Sequence, residues 1–240
     1  MAIIAVIVYI ALQYFKAGYG YLRNDKWGPS ISNKPAWIIM EVPVFIVMLV
    51  LMIKNWSNST PVTTIMALLF LTHYFQRSFI FPFLMKGKSQ MPIVIMLMGA
   101  TFNIINGFLI GKWLFEYSNY PPDWFTSPQF IIGTVIFLIG MFINIHSDYI
   151  IRHLRQPGDT KHYIPKGGMF KYVSSANYFG EITEWFGFAI LTWSIPGALF
   201  CLWTFANLAP RAKSLYNKYS EEFGDEFTDL KRKKVIPFIY

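Results

Sequence analysis

Long apolar runs constrain this chain more than any other feature of its sequence. Seven stretches of mostly apolar residues follow one another, at residues 2–15, 36–53, 61–85, 92–115, 130–151, about 169–191 and 196–208. A helix that spans a bilayer needs about twenty consecutive, mostly apolar residues. Only 14% of the residues are charged, whereas soluble domains carry about a quarter. The runs therefore predict an all-α integral membrane protein, a bundle of seven transmembrane helices.

Two of the runs allow another interpretation. The first is short and could be a signal peptide, but no basic residue precedes it and no clear small-residue cleavage site follows it. We therefore expect a retained helix. The last two runs are separated only by residues 193–197 and could form one bent span. Because together they are about twice a membrane-crossing length, we predict two helices.

The basic residues are distributed unevenly between the connections. The formal net charge of +8 could indicate a nucleic-acid-binding protein. Four basic residues lie in the first connection, two in the third, five in the fifth and seven after the last run, which is 18 of the 21 in the chain. Basic residues concentrate in cytoplasmic loops. We therefore predict a cytoplasmic C-terminus, an N-terminus on the opposite side and no nucleic-acid partner.

Ionisable side chains inside the apolar runs are the most informative residues, because burying them in a membrane is costly and usually marks a functional interior. Glu41 lies in the second run, and His73, Tyr74 and Arg77 cluster in the third. Glu41 is a natural partner for this cluster. The alternatives are an interfacial Glu41 that reaches the headgroups, a core Tyr74 with a satisfied hydroxyl and a snorkelling Arg77.

Two later runs carry polar residues at helical spacing, which predicts a polar pocket that opens toward the basic loop between them. An ion pair between Asp148 and Arg152 alone is the simpler alternative. That loop contains turn signals at 156–159 and 164–168, whose backbone amides suit phosphate groups. The polar faces consist of Asn144, Asp148, Arg152 and Arg155 in the fifth run, and of Asn177, Glu181 and Trp185, with Glu184 beside them, in the sixth.

Several common site motifs are missing from the sequence. No GxGxxG follows a predicted strand, there is no GxSxG, and the four histidines lack the spacing of a zinc site. The single cysteine, Cys201, excludes an intrachain disulfide and a cysteine-built metal site. Any cofactor must therefore bind among the helices and their loops, and we expect no metal.

The order of several motifs resembles the steroid 5α-reductase family (3-oxo-5α-steroid 4-dehydrogenase, C-terminal domain). Weaker similarity extends to EVP at 41–43 and HYF at 73–75, so the resemblance covers nearly the whole chain. The stronger motifs are GMFINIHSD at 140–148, LRQPG at 154–158, IPKGG at 164–168, YVS at 172–174, ANYFGE at 176–181, EW at 184–185 and IPFIY at 236–240.

The resemblance implies NADPH-dependent reduction of the Δ4 C=C bond of 3-oxo-Δ4-steroids. Glu41 and Tyr74 match the pair that holds the 3-keto oxygen. NADPH is expected on the cytoplasmic side, and a lipophilic steroid-like substrate is expected to enter from the bilayer. The matching cofactor-binding positions are Asn144, Asp148, Arg155, Asn177, Glu181, Arg211 and Tyr219, and the expected substrate-lining residues are Trp37, Met40, Phe81, Met98 and Trp185.

We further expect one membrane-embedded domain over residues 1–240, with a substrate half at about 1–115 and a cofactor half at about 130–240. It should be a monomer in contact with membrane lipid. The membrane would be the cell inner membrane in a bacterium or the endoplasmic reticulum in a eukaryote. Three positions depart from the family pattern: Met40 replaces glutamine, Met98 replaces arginine and Phe81 replaces tyrosine. These changes could alter substrate preference without changing the reaction.

Three alternative functions remain open. The nearest is another membrane lipid reductase that acts on a sterol, a polyprenol or an enoyl thioester. A membrane methyltransferase of the isoprenylcysteine type would bind S-adenosylmethionine and would not need the Glu41 and Tyr74 pair. A transporter could use Glu181 and Glu184 as a proton relay, although no inverted repeat is visible in the sequence.

Overall fold

The computed structural model describes residues 1–15, 18, 20–22, 25–86, 89–155, 159 and 161–240. Most of them are helical. The helices are α1 (Ala2–Tyr14), α2 (Asn33–Lys54), α3 (Pro61–Phe75), α4 (Phe81–Leu84), α5 (Ile93–Lys112), α6 (Pro128–Arg152), α7 (Ala176–Thr192), α8 (Ile195–Phe223) and α9 (Asp225–Thr228). A π-helical turn, Gln76–Ile80, joins α3 to α4, and a second one, Trp113–Tyr117, extends α5. Short 3₁₀ turns in this part of the chain lie at Gly20–Leu22, Asp25–Trp27, Trp56–Asn58, Pro122–Thr126 and Gly168–Lys171.

Among the described residues, three helical segments are long and apolar enough to cross a membrane by length and composition: Asn33–Lys54, Ile93–Tyr117 and Pro128–Arg152. Each of the seven predicted apolar runs contains a helix. The prediction of a mostly helical membrane protein is therefore confirmed, whereas the count of seven spans and the orientation of the termini stay predictions. The separation of the last two runs into two helices is also confirmed, because α7 ends at Thr192 and α8 begins at Ile195.

Local side-chain chemistry explains where several helices begin. The Thr60 hydroxyl accepts from the Thr63 amide at 3.2 Å and Pro61 follows, which together fix the start of α3. Ser194 Oγ accepts from the Gly197 amide at 3.1 Å and caps α8 in the same way. Trp193, with φ of 44°, turns the chain between α7 and α8.

The structure corrects two boundaries in the sequence-based prediction. The sixth run was expected to start near residue 169, but α7 starts at Ala176, because Gly168–Lys171 forms a 3₁₀ turn and Val173 pairs with Lys233. The last run was expected to end near residue 208, but α8 continues to Phe223 with Pro210 inside it. Its polar second half lacks the apolar signal that defined the run.

The all-α prediction misses two pieces of extended backbone. Strand β1 (Ser30–Ser32) pairs antiparallel with β2 (Gln90–Pro92), so the first and third connections lie on one side of α2 and α5. Prolines in both connections oppose helix, and strand pairing satisfies the backbone groups instead. The Val173–Lys233 bridge joins the fifth connection to the C-terminal tail in the same way.

The chain forms two compact units. The α2–α5 unit comprises Gly18–Gly133 and Ala189–Ala198, and the α6–α8 unit comprises Met1–Ala17, Thr134–Phe188 and Leu199–Tyr240. Helix α1 belongs to the second unit, where the Tyr9 ring stacks on Phe205 at 6.4 Å and Lys213 Nζ donates to Gln13 Oε1 at 3.0 Å. The predicted single domain with a substrate half and a cofactor half stays a prediction.

Candidate active site

In the α2–α5 unit, the Glu41 carboxyl is held by a buried amide. Glu41 is half-buried on α2, and Asn103 on α5 is 6% exposed. Asn103 Nδ2 donates to Glu41 Oε2 at 3.2 Å and to the Met40 carbonyl at 2.8 Å. Sequence reasoning missed Asn103, although an amide in a long apolar run is itself a signal of an interior contact.

The face of α2 that carries Glu41 packs against the segment that follows Tyr74. Phe45 lies one helical turn after Glu41, on the same side of α2. Its ring centroid is 6.3 Å from Phe75 and 5.3 Å from Phe79. Tyr74 directly precedes Phe75 and is only 3% exposed. The two residues predicted to be catalytic therefore lie on neighbouring, packed elements of one unit.

Arg77 lies in the π-helical turn and is buried against aromatic rings. Its guanidinium carbon is 5.1 Å from the Trp37 ring and 4.4 Å from the Phe81 ring. With 8% exposure, it packs on these rings instead of snorkelling to an interface. The Arg77 guanidinium therefore contacts both Trp37 and Phe81, which are predicted to line the substrate site. A π-helical turn like the one that carries Arg77 is frequent at functional sites.

Met40 and Met98, the two methionines that replace polar residues of the family pattern, differ in how deeply they are buried. Met40 is 8% exposed and packs with Ala36, Met91 and Met96. Its side chain covers Gly99, where an added Cβ would lie 2.6 Å from Met40 Cγ and Sδ. Met98, by contrast, is 59% exposed.

In the α6–α8 unit, two glycines bring α6 and α7 into backbone contact. A Cβ at Gly140 would lie 2.2 Å from the Glu184 amide nitrogen, and one at Gly180 would lie 2.4 Å from the Asn144 amide nitrogen. Real Cβ atoms do not approach backbone this closely. The glycines therefore let the polar faces of the two helices meet.

Three predicted cofactor-binding residues form one hydrogen-bonded chain at this contact. Asn144 Nδ2 donates to the Asn177 carbonyl at 2.9 Å, and Asn177 Nδ2 donates to Asp148 Oδ1 at 3.4 Å. Asn144 and Asp148 are 2% and 5% exposed. Glu181, one turn after Asn177, is half-buried. The sequence predicted one polar face on each of these two helices, and the structure brings residues of the two faces together.

Helix α8 and the aromatic core supply three further predicted residues. The Arg211 guanidinium lies 5.6 Å from the Tyr178 ring and is buried. Trp185 is 1% exposed, and its ring packs on Phe200 at 4.3 Å and on Phe137 at 6.1 Å.

Tyr219 stacks on Phe223 and Phe227 near the end of α8, with ring centroids 5.9 and 5.3 Å away. Burial raises the pKa of Tyr219 to about 12. The phenol is therefore a neutral hydroxyl at neutral pH, able to donate a hydrogen bond.

The loop after α6 is organised by backbone and carboxylate contacts. Arg155 Nε donates to the Lys161 carbonyl at 2.6 Å. Asp159 accepts from the Tyr163 hydroxyl at 2.6 Å and from the Lys161 amide at 2.8 Å, and these bonds hold the pKa of Asp159 below its usual value. The predicted turn at 156–158 lies outside the described residues.

Several known proteins are similar to this chain over most of its length. A family model described as 3-oxo-5-alpha-steroid 4-dehydrogenase matches residues 89–240. The bovine 3-oxo-5-alpha-steroid 4-dehydrogenase 1 is 38% identical, over 98% of this chain and 93% of its own length. The human 3-oxo-5-alpha-steroid 4-dehydrogenase 1 is 42% identical, over 88% and 81%. The chain belongs to the 3-oxo-5-alpha-steroid 4-dehydrogenase family. Steroid 5-alpha-reductase DET2 of Arabidopsis thaliana, 37% identical over 96% of this chain and 90% of its own length, extends the similarity to plants.

Membership in the 3-oxo-5-alpha-steroid 4-dehydrogenase family identifies the chain as an oxidoreductase and implies a nicotinamide cofactor. The polar face of the α6–α8 unit fits such a group. Ser147 Oγ on α6 and Ser175 Oγ directly before α7 are buried, and neither has a hydrogen-bond partner among the described residues. The same holds for Arg152 Nη1. Buried polar atoms of this kind call for a ligand or water to satisfy them.

Two residues near this face were not predicted to be part of the site. Ser147 lies inside the motif at 140–148 and could have been chosen for its helical spacing. Arg232, 7% exposed, donates from Nη1 to the Pro165 carbonyl at 2.8 Å and ties the tail to the loop before α7. Only the tertiary structure reveals that contact, because the two residues are far apart in the sequence.

Proposed function

We propose that this protein catalyses the NADPH-dependent reduction of the Δ4 C=C bond of 3-oxo-Δ4-steroids to 5α-3-oxosteroids. The proposal is supported above all by relatives of that name that align over nearly the whole chain. It is further supported by the Glu41 carboxyl, which accepts a hydrogen bond from the buried Asn103 amide. The face of α2 that carries Glu41 also packs against the segment after Tyr74. The match to this family also argues against the methyltransferase and transporter alternatives.

The chemistry requires a hydrogen-bond donor at the ketone. Addition of hydride to C5, the β-carbon of the enone, moves negative charge onto the 3-keto oxygen. A donor aimed at that oxygen stabilises the transition state. Tyr74 can donate from its hydroxyl, and Glu41 can donate when protonated, as carboxyls in apolar sites can be. A proton then reaches C4, and the saturated ketone is complete.

The α6–α8 unit would hold the cofactor. NADPH, when bound, supplies the hydride, while the protein supplies alignment and electrostatics. Amide and carboxylate groups suit ribose hydroxyls and a carboxamide, and guanidinium groups suit phosphates. A 2′-phosphate that pairs with arginine would favour NADPH over NADH. The proposed ligands are Asn144, Asp148, Arg155, Asn177, Glu181, Arg211 and Tyr219.

The proposed topology has seven spans, with the basic connections and the C-terminus in the cytoplasm. Two observations support it. The β1–β2 pair joins the first connection to the third, and the Val173–Lys233 bridge joins the fifth connection to the tail, so each pairing unites two of the basic segments. A monomer in the bacterial inner membrane or the endoplasmic reticulum would take the steroid from the bilayer and the anionic cofactor from the basic side.

The substrate site should be shaped by the departures from the family pattern. Met40 and Phe81 are apolar where the family has an amide and a phenol, and both lie in the α2–α5 unit near Glu41 or Arg77. We propose that Trp37, Met40, Phe81, Met98 and Trp185 affect which steroid is preferred, and not the reaction itself.

A direct assay tests the proposed function. Purified protein in detergent is incubated with a Δ4-3-keto steroid and NADPH, the nicotinamide absorbance is followed, and the product is identified by mass spectrometry. We expect NADPH oxidation and a product two hydrogens heavier. The matched control is the saturated 3-keto steroid, which should cause no oxidation. Absence of oxidation with every enone lipid tested would refute the reductase assignment.

A further inference from the structure

We infer that Asn103 is a positioning residue that determines which oxygen of Glu41 faces the substrate. The inference rests on the proposed function. Its basis is the pair of hydrogen bonds from one buried amide nitrogen, 3.2 Å to Glu41 Oε2 and 2.8 Å to the Met40 carbonyl. Asn103 touches Glu41 and not the reacting atoms, so it acts through the carboxyl.

The hydrogen-bonding capacity of the Asn103 amide indicates which oxygen of the Glu41 carboxyl carries the proton. An NH₂ group donates two hydrogen bonds and accepts none. Its two N–H bonds are directed to the Met40 carbonyl and to Glu41 Oε2, so Oε2 must be an accepting oxygen. The carbonyl oxygen of a neutral carboxyl is its better acceptor, so the bond from Asn103 to Oε2 favours the proton of a neutral Glu41 on Oε1. Oε1 becomes the donor toward a ketone, and Asn103 prevents rotation of the carboxyl into the unproductive arrangement.

The packing of α5 on α2 holds Asn103 in this place. Gly99, Asn103, Gly107 and Gly111 recur every four residues and share one face of α5. A Cβ at Gly107 would lie 3.1 Å from the Val44 carbonyl oxygen. Three glycines thus allow close approach to α2, and the one larger residue between them carries the amide that reaches Glu41.

The hydrogen bond from Asn103 to the Met40 carbonyl lies beside a weakened part of α2. Pro43 lies inside α2 and has no N–H to donate to the carbonyl four residues earlier, which weakens the helix beside Glu41. The bond from Asn103 to the Met40 carbonyl ties this part of α2 to α5. Asn103 therefore fixes both the backbone before Glu41 and one oxygen of its carboxyl.

Asn106 provides a matched control on the same helix. It is 2% exposed, and its Nδ2 atom has no hydrogen-bond partner in the part of the chain that the structure describes. Asn106→Leu removes a buried amide of the same size, yet it leaves the contact with Glu41 in place. General effects of lost polarity or changed packing in α5 should appear in both variants.

The first test is kinetic. We expect Asn103→Leu to lower kcat by about tenfold or more, because even a small displacement of a catalytic group strongly reduces the rate of the chemical step. The KM for NADPH should stay within about twofold, and Asn106→Leu should retain a near-normal kcat. Asn103→Asp keeps the side-chain shape but replaces the N–H donor with oxygen, so it should also be slow and serves if the leucine variant fails to fold.

A double-mutant cycle tests whether Asn103 acts through Glu41. In a Glu41→Ala background, Asn103→Leu should lower kcat far less than in the wild-type background, because the carboxyl that Asn103 positions is gone. The equilibrium affinity of the same four variants for the steroid, measured in the presence of NADP⁺, gives a second double-mutant cycle that does not depend on turnover. Equal effects of Asn103→Leu with and without Glu41, or equal losses in the Asn106→Leu variant, would overturn the inference.

An activity-independent measurement separates this inference from the proposed function. The infrared difference between wild type and Glu41→Gln isolates the C=O stretch of the Glu41 carboxyl. Loss of a hydrogen bond to Oε2 should move that band to higher wavenumber in Asn103→Leu but not in Asn106→Leu. If wild type reduced no enone lipid, the proposed function would fail. The band would still decide the contact, since a shift supports it and an unmoved band overturns it.

Discussion

The two compact units present their polar groups in opposite ways. In the α2–α5 unit, a carboxyl and a phenol lie among aromatic and methionine side chains, with one amide holding the carboxyl. In the α6–α8 unit, amides, carboxylates and a guanidinium line the contact between packed helices. The first arrangement suits a lipophilic molecule with one polar atom. The second suits a cofactor with many polar atoms.

This difference predicts how each unit responds to substitution. Where few polar groups contact a substrate, each one carries a large share of the stabilisation, and its loss should reduce turnover. Where many groups contact a cofactor, the loss of one leaves the others in place, and binding should weaken by a limited amount.

Removing either donor of the α2–α5 unit should have the largest effect. We expect Glu41→Leu and Tyr74→Phe each to lower kcat for enone reduction by about 100- to 1,000-fold, the usual cost of losing one such donor. NADPH affinity, measured by nicotinamide fluorescence, should change little. A loss of NADPH affinity as large as the loss of turnover would place these residues at the cofactor instead.

The glycine contacts should distinguish the two units by stability. Gly140→Ala places a Cβ against the Glu184 backbone, which cannot yield, whereas Gly99→Ala places one against the Met40 side chain, which can rotate. We expect Gly140→Ala to lower the free energy of unfolding by about 1–3 kcal/mol or more, as overpacking does. Gly99→Ala should cost clearly less. Thermal unfolding in detergent measures both, and equal losses would contradict the packing described for α6 and α7.

Substitutions in the α6–α8 unit should act on the cofactor. Asp148→Ala and Arg155→Ala should each raise the KM for NADPH by about tenfold, consistent with the loss of one charged hydrogen bond. The kcat at saturating NADPH should remain within about twofold. Arg155→Ala should also reduce the preference for NADPH over NADH, if this guanidinium pairs with the 2′-phosphate. Steady-state kinetics with both nucleotides measures these effects, and a fall in kcat without a change in KM would remove these residues from the cofactor site.

Much of the architecture could be predicted from the sequence, because apolar runs and helix caps act locally. The boundaries failed where tertiary contacts decide them. Met169 and Phe170 extend the apolar signal of the sixth run toward the N-terminus, yet the pairing of Val173 with Lys233 excludes this segment from α7. The length of α8 was underestimated because its second half is polar and packs in a way that hydropathy does not record.

The candidate site was predictable in part for a related reason. Helical spacing placed Asn144 and Asp148 on one face of α6 and Asn177 on a polar face of α7, and the structure joins the three by hydrogen bonds. The contact of Asn103 with Glu41 could not be predicted, since it depends on which faces of two separate helices pack together. Spacing within one helix carries no information about its neighbour.

The smallest predicted effect concerns Tyr219, which follows the last apolar run. The ordinary pKa of a tyrosine is about 10, and burial raises that of Tyr219 to about 12. As the pH rises from 10 to 12, the unfolded chain loses this proton first, so native stability should fall across that window. The tyrosinate absorbance of wild type minus Tyr219→Phe should show a midpoint near 12. A midpoint near 10 would mean that the hydroxyl is in water.

The path of the transferred hydrogen tests the proposed reduction most directly. NADPH that carries deuterium at the transferable position of its nicotinamide is supplied with a Δ4-3-keto steroid, and the product is examined by mass spectrometry and NMR. We expect one deuterium at C5 on the α face and a solvent-derived hydrogen at C4. Glu41→Gln should form the same labelled product, only more slowly. Deuterium at C4, or a reduced product without deuterium, would contradict hydride delivery to an enone polarised at its ketone.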